Sequence, residues 1–334
     1  MGKKIRVAQF GIGVIGRGVT RILSKKPDME LIGAIDRVNG GRDLGEVAGL
    51  GRKLGIQISS DPEKVLKKGK PRVVIHTTSS SLKKVYPELE SLVKAKVSVV
   101  SSCEELSYPY RREPELAARL DKLAKKNGVT VLATGVNPGF LMDAWPLFMT
   151  GVCTEVKEVR VSRVQDASYR RIPFQEKIGA GKTRKEFEDL VRKGIIRHVG
   201  LPESVAMIAD GLGWKLDKIT EVIKPILYKK KVKSNYITVK PGQVAGVKQV
   251  GKGFKKGKVF ITLNFEASIG AGQSYDSVSL TGSPNLEVII KGGTHGDVAT
   301  VAMLVNAVPK VLSAPPGLKT MKDLIISALP NRSS

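Results

Sequence analysis

Gly11-Ile12-Gly13-Val14-Ile15-Gly16 follows the apolar run Ile5–Phe10 without an intervening residue, and a helical pattern opens inside it. A strand, a glycine turn and a helix in that order fit few folds. The first glycine permits a tight turn, the second lets backbone approach a pyrophosphate, and the third lets the helix pack close on the strand. The helix N-terminus then faces the phosphates with its free N–H groups. A GxGxxG string alone is weak evidence. Here it has its strand, its helix and Asp36 about twenty residues beyond Gly16, at the end of a second strand. The backbone of these six residues is therefore expected to cradle a dinucleotide. Asp36 is expected to accept hydrogen bonds from a ribose, which favours NAD. Arg37 beside it suits the 2′-phosphate of NADP, which stays open.

The pattern around the motif agrees. Apolar, β-rich runs at 5–10, 31–35, 72–77, 97–101 and 129–133 alternate with amphipathic helical stretches at 18–24, 82–95 and 113–127. Strands apolar throughout and separated by helices form a parallel sheet covered on both faces, so residues 1–145 read as a Rossmann-type, doubly wound α/β domain. After Gly151 the strands at 156–164, 219–227, 259–267 and 286–291 bring period-two alternation, most clearly from Glu158 to Val164. Alternation implies one solvated face, hence an α+β second domain over 146–294. Thr183-Arg184-Lys185-Glu186 is a capping box, Pro202-Glu203 opens another helix, and an apolar helix at 296–312 contains Pro309. The 295–334 segment is expected to pack back on the first domain.

Charge raises a different class of function. The 334 residues carry 56 Lys and Arg against 31 Asp and Glu, a net +25, enough to implicate nucleic acid or an anionic membrane. The lysines, however, come in pairs along the whole chain. The densest stretch, 224–258, has eleven lysines and no acid, but no nucleic-acid motif accompanies it. A lysine-rich solvated surface, as in thermophile proteins, is the reading, with no specific nucleic-acid partner. No apolar run approaches the roughly 20 residues of a membrane span. A strand beginning almost at once leaves no room for a signal peptide, and two cysteines cannot build a disulfide framework. A reduced, cytoplasmic enzyme is expected.

Thr77, Thr78 and Ser79 follow the end of one strand and Ser102 the end of the next, the edge where open α/β sheets bind ligands. All four are expected to line the cofactor. With Ser101-Ser102-Cys103-Glu104-Glu105-Leu106-Ser107-Tyr108-Pro109 and Gly135-Val136-Asn137-Pro138-Gly139-Phe140, the sequence resembles the family of 2,4-diaminopentanoate dehydrogenase and the native amine dehydrogenases. The stretches 172–181 (IPFQEKIGAG), 198–214, 292–300 and 315–323 extend the resemblance over nearly the whole chain. It implies an architecture distantly shared with dihydrodipicolinate reductase. It also implies oxidative deamination of a primary amine with NAD(P)+, to a ketone and ammonium, in a homodimer. The family's key acid falls on Glu104 and the Asn of its Asn-Pro-Gly turn on Asn137. A further polar position, Asn in some members, falls near Gln165, a departure that bears on the preferred amine.

Chemistry supports Glu104 independently. It lies just past a strand's C-terminal end. Removing hydride from an amine carbon leaves an iminium cation, which a carboxylate stabilises. Hydrolysing that iminium needs a base to activate water. Glu105 suits a helix-start role. Arg170, with Arg171 and Lys177 nearby, suits a substrate carboxylate. Phe174 and His295 complete the expected substrate contacts, whereas His76 and His198 read as structural. No His/Cys/Asp cluster has ligand spacing, so no metal is expected. Two alternatives stand beside this reading. Dihydrodipicolinate reductase-type reduction is disfavoured, because the His-His pair followed by Lys typical of that family is missing among three isolated histidines. A nucleotide-sensing or nucleic-acid-binding protein rests on the charge alone.

Overall fold

The computed structural model describes residues 4–329. By contact the chain divides into two compact units, one reaching Phe140 and resuming at His295, the other Leu141–Thr294.

The first unit begins with β1 (Ile5–Phe10), α1 (Val14–Leu23), β2 (Met29–Ile35), α2 (Leu44–Ala48), β3 (Ile58–Ser59) and α3 (Pro62–Gly69). It continues with β4 (Val73–His76), α4 (Leu82–Lys94), β5 (Ser98–Ser101), α5 (Pro114–Asn127) and β6 (Thr130–Ala133). These strands pair in parallel in the order β6-β5-β4-β1-β2-β3. Every residue of β4, β5 and β6 is buried, which requires helices on both faces. Val74, Val99 and Val131 pack with Val85 and Leu89 of α4 and Leu120 of α5. The strand order reverses between β1 and β4, so a ligand crevice is expected outside their C-terminal ends. Asp61 starts α3 by accepting from the Glu63 amide at 2.9 Å, and Asp43 starts α2 by accepting from Gly45 at 2.7 Å.

The second unit comprises α6 (Ala144–Met149), β7 (Glu155–Asp166), α7 (Ile172–Lys177), α8 (Arg184–Arg192), α9 (Leu201–Gly211) and β8 (Lys218–Leu227). The small hairpin of β9 (Val232–Lys233) and β10 (Thr238–Val239) follows. Then come β11 (Val244–Lys255), β12 (Lys258–Ser268), β13 (Tyr275–Ser283) and β14 (Leu286–Lys291). Its main sheet runs β14-β13-β7-β12-β11-β8. Only β7 and β12 pair in parallel, so the sheet is mixed. Burial alternates along β7, where Val159 and Val161 point into the core while Glu158 and Arg160 do not. Asp143 explains why this unit starts before residue 145: it accepts from the Ala144 amide at 2.7 Å and from the Ser204 hydroxyl of α9 at 2.7 Å.

β11 and β13 lie outside the strands read from the sequence. β11 carries three glycines, which weaken intrinsic strand preference. Two of them are needed: a Cβ on Gly253 would stand 2.9 Å from Val205 of α9, and one on Gly246 would stand 1.9 Å from the Ala267 carbonyl oxygen. In β13 an aspartate, Asp276, occupies the buried phase shared by Val278 and Leu280. The chain then re-enters the first unit with α10 (Gly296–Ser313) and β15 (Gly317–Lys319), which extends the parallel sheet beside β6. α10 packs on α1, and Val301 fills the space left by the missing side chain of Gly18.

Candidate active site

The glycine turn is built as a cradle. Gly11 has φ of +88°, and a Cβ there would stand 2.6 Å from the Thr77 carbonyl oxygen. A Cβ on Gly16 would stand 1.9 Å from the Gly11 carbonyl oxygen, whereas one on Gly13 would meet nothing within 4 Å. Gly13 is therefore the position open to an approaching group. It is also the N-cap of α1, where no side chain caps the first turn. The turn is pinned from below by a residue the sequence reading passed over. Buried Gln9 donates through Nε2 to the Gly11 carbonyl at 3.0 Å and to the Thr77 hydroxyl at 2.8 Å. A single amide inside an apolar strand was the available signal.

Asp36 closes the other side. Its Oδ2 accepts from the Ile12 amide at 2.7 Å. Its Oδ1 accepts from the amides of Val38 and Asn39 and from the Asn39 side chain at 2.8–3.0 Å. Burial opposes its charge, but these donors together hold its carboxyl below the usual range. Three donors fill Oδ1, which leaves Oδ2 as the oxygen able to take a ribose hydroxyl. Gly11, Gly13, Asp36, Arg37, Thr77, Thr78 and Ser79 all line one cleft of about 420 Å³. The Thr77 hydroxyl is occupied with the Gly11 carbonyl at 2.8 Å, and that of Thr78 with Glu88 at 2.8 Å. Ser79 accepts from the Ser81 amide at 3.3 Å, and the Ser102 amide donates to the His76 carbonyl at 2.9 Å. Arg37 pairs with Glu88 at 3.3 Å.

Glu104 follows β5 at the start of a single 3-10 turn, Glu104–Leu106. It is half-buried, and its carbonyl accepts from the Ser107 hydroxyl at 2.7 Å. Glu105 anchors this turn to a different element. Its Oε2 accepts from the Leu82 amide at the start of α4 at 2.9 Å, Oε1 pairs with Arg112 at 3.1 Å, and its own amide donates to the Ser80 carbonyl. The helix it serves is thus α4, 23 residues back in the chain. Burial, with a smaller contribution from the charges of Glu104 and Glu105, pushes the neighbouring Cys103 thiol up to about 12. That thiol stays protonated and unreactive at neutral pH. Asn137 is buried in the turn after β6, where Gly139 has φ of +122° and leaves no room for a Cβ beside Gly135. His295 is the N-cap of α10, with Nδ1 accepting from the Val298 amide at 3.4 Å.

In the second unit Gln165, Arg170 and Phe174 meet. Arg170 donates to Gln165 Oε1 at 3.1 Å, and its guanidinium lies 4.4 Å over the Phe174 ring. Gln165 Nε2 donates to the Thr294 carbonyl at 3.1 Å. Two buried charges support them that the sequence reading did not single out. Arg163 and Asp276 pair at 2.7 Å, Arg163 also donates to the Thr294 carbonyl at 2.8 Å, and Asp276 accepts from the Thr294 amide at 2.7 Å. Burial works to lower the Arg163 pKa more than Asp276 raises it. The available signal was phase: Arg163 falls on the Val159–Val161 face of β7. His76 is buried and held by Ser101 and Glu88, and half-buried His198 stacks on Phe265 at 4.6 Å. Among the described residues, no three His, Cys, Asp or Glu side chains gather as a metal site, and no helix is long and apolar enough to cross a membrane.

Comparison with known proteins agrees with these two halves. A family model described as "Dihydrodipicolinate reductase, N-terminus" matches residues 5–132, and one described as "2,4-diaminopentanoate dehydrogenase C-terminal domain" matches residues 140–332. The 2,4-diaminopentanoate dehydrogenase of Acetoanaerobium sticklandii is 36% identical, over 96% of this chain and 94% of its own length. The amine dehydrogenase of Streptomyces virginiae is 24% identical over 96% of both. Among solved structures, the amine dehydrogenase from Mycobacterium smegmatis superposes with a TM-score of 0.84 at 26% identity, covering 98% of each chain. On this identity and coverage, the chain belongs to the 2,4-diaminopentanoate dehydrogenase family.

Proposed function

We propose that this chain is an NAD-dependent amine dehydrogenase that oxidises 2,4-diaminopentanoate or a similar primary amine to the ketone, reversibly. The observation that carries the reading is the family match over nearly the full length, together with a glycine cradle that fits a dinucleotide. The open side of Gly13 and the uncapped start of α1 suit a pyrophosphate, and Asp36 Oδ2 suits a ribose hydroxyl. When bound, the dinucleotide supplies the hydride acceptor.

The chain's own residues supply the remainder. A protonated amine must first lose a proton, so that the nitrogen lone pair drives hydride from the adjacent carbon and leaves an iminium. The Glu104 carboxylate takes that proton and passes it to solvent, so that, ionised again, it balances the iminium charge. It then removes a proton from water as the oxygen bonds to the iminium carbon. Returning that proton to nitrogen lets the C–N bond break, and the hydroxyl proton passes to the departing ammonia, leaving ketone and ammonium. Overall, amine as its ammonium, NAD+ and water give ketone, ammonium, NADH and one proton. Asn137 is assigned to hold the substrate or Glu104, and His295 to the rim beside it. Arg170, fixed by Gln165 and Phe174, is assigned to a substrate carboxylate.

The assay that decides the activity is NAD(P)+ reduction across 2,4-diaminopentanoate, simple amines and amino acids. Amine-dependent NADH formation is expected, and its absence across the panel sinks the reading. We further infer a cytoplasmic homodimer with a heat-tolerant, lysine-rich surface and no specific nucleic-acid partner. The half-buried outer phase of the second unit's sheet, including Val164, Val250, Thr262 and Asn264, supports the dimer.

A further inference from the structure

We propose that Glu88 determines which nicotinamide dinucleotide this enzyme uses, by occupying Arg37 and by setting a second fixed carboxylate in the cleft of Asp36. The proposal rests on reading that cleft as the seat of the cofactor's adenosine end. NAD and NADP differ there by one phosphate carrying nearly two negative charges, and an arginine after the second strand is the usual kind of group to meet it. Arg37 stands in that position, but its guanidinium faces Glu88 at 3.3 Å.

The two partners are not equally free. The Arg37 side chain is 80% exposed, whereas that of Glu88 is 16% exposed. An exposed ion pair has little strength of its own, so a phosphate can draw Arg37 away. It cannot draw Glu88 away. Glu88 Oε2 accepts from the Thr78 hydroxyl at 2.8 Å and lies 2.9 Å from His76 Nε2. His76 is wholly buried, and its Nδ1 lies 3.0 Å from the Ser101 hydroxyl. An ionised carboxylate only accepts, so the contact with Glu88 places an imidazole proton on Nε2, toward Glu88. Burial opposes the Glu88 charge, yet His76, Thr78 and Arg37 keep it ionised below the usual carboxylate range. A 2′-phosphate entering this cleft thus meets Asp36 and Glu88 fixed in place, with only the exposed side chains of Arg37 and Lys84 to set against them. Ribose hydroxyls meet no such opposition.

The test compares wild type with Glu88→Gln, which keeps the size of the side chain and an acceptor for Thr78. Two readouts apply: kcat/KM with NAD+ and NADP+, and fluorescence titration with NADH and NADPH. Wild type is expected to prefer NAD+. In Glu88→Gln the ratio of the two efficiencies moves about tenfold toward NADP+, the effect of removing one nearby charge at an intermediate dielectric. NADPH binding tightens in parallel, and in an Arg37→Ala background the gain is smaller but persists, because relief of the repulsion from Glu88 remains. A folded Glu88→Gln protein with an unchanged ratio overturns the proposal alone. So does a wild type that prefers NADP+. A wild type that binds neither reduced dinucleotide overturns the cofactor reading along with it.

Discussion

Glu104 and Glu105 are neighbouring carboxylates in opposite situations. Glu105 is nearly buried, with both oxygens engaged by Leu82 and Arg112, while Glu104 starts the turn at the end of β5. Glu104→Gln keeps the shape but removes both the charge that balances an iminium and the base that activates water. Turnover should fall by about 10²–10⁴-fold, with NADH binding retained in a fluorescence titration. Glu105→Gln keeps an acceptor for Leu82 and should cost thermal stability more than rate. A dead Glu105→Gln beside an active Glu104→Gln moves the chemistry by one residue. Asp36 gives a pH signature. Its folded pKa is depressed, so its contribution to the glycine turn is complete above the ordinary value of about 3.9 and is lost as pH falls through the lower folded value. NADH affinity should therefore not weaken through Asp36 between pH 8 and 5, and a titration of affinity in that range checks it.

Among the elements, β7 and β13 are joined by a buried ion pair. The side chains of Arg163 and Asp276 are 3% and 1% exposed, and both also hold Thr294, the residue before the chain re-enters the first unit. Breaking such a pair leaves a buried, unanswered charge. Asp276→Ala should destabilise the protein by about 3–5 kcal/mol, while the double variant Arg163→Met/Asp276→Leu should recover much of that loss. Denaturant midpoints of the three proteins check this, and equal midpoints for wild type and Asp276→Ala would show the pair to be dispensable. The period-two pattern of β7 is plain from its residues, and Arg163 on its apolar phase was a readable anomaly. Its partner was not readable. Asp276 lies 113 residues away, and only the antiparallel pairing of β7 with β13 brings them together.

For the molecule as a whole, the net +25 and the sheet of the second unit make separate claims about association. A dimer built on the outer face of that sheet rests on short-range contacts and should keep its two-chain mass from about 0.05 to 0.5 M salt. Contact of the lysines with a nucleic-acid oligomer is electrostatic and should vanish over the same range. Sedimentation with and without a labelled oligomer measures both. A one-chain mass, or an oligomer still bound at the upper salt, refutes the corresponding half.

The doubly wound half, its glycine turn, Asp36 and the position of Glu104 after a strand were legible in the chain, because each rests on residues close in sequence. Local preference and a short turn dictate them. The tertiary structure alone decided which contacts each charge makes. Glu105 serves a helix 23 residues behind it, and Glu88 closes on Arg37 across 51 residues. β11 is a strand despite its glycines because α9 and the neighbouring β12 need their absent side chains. Such pairings depend on how elements stack, and no periodicity within a single element encodes that.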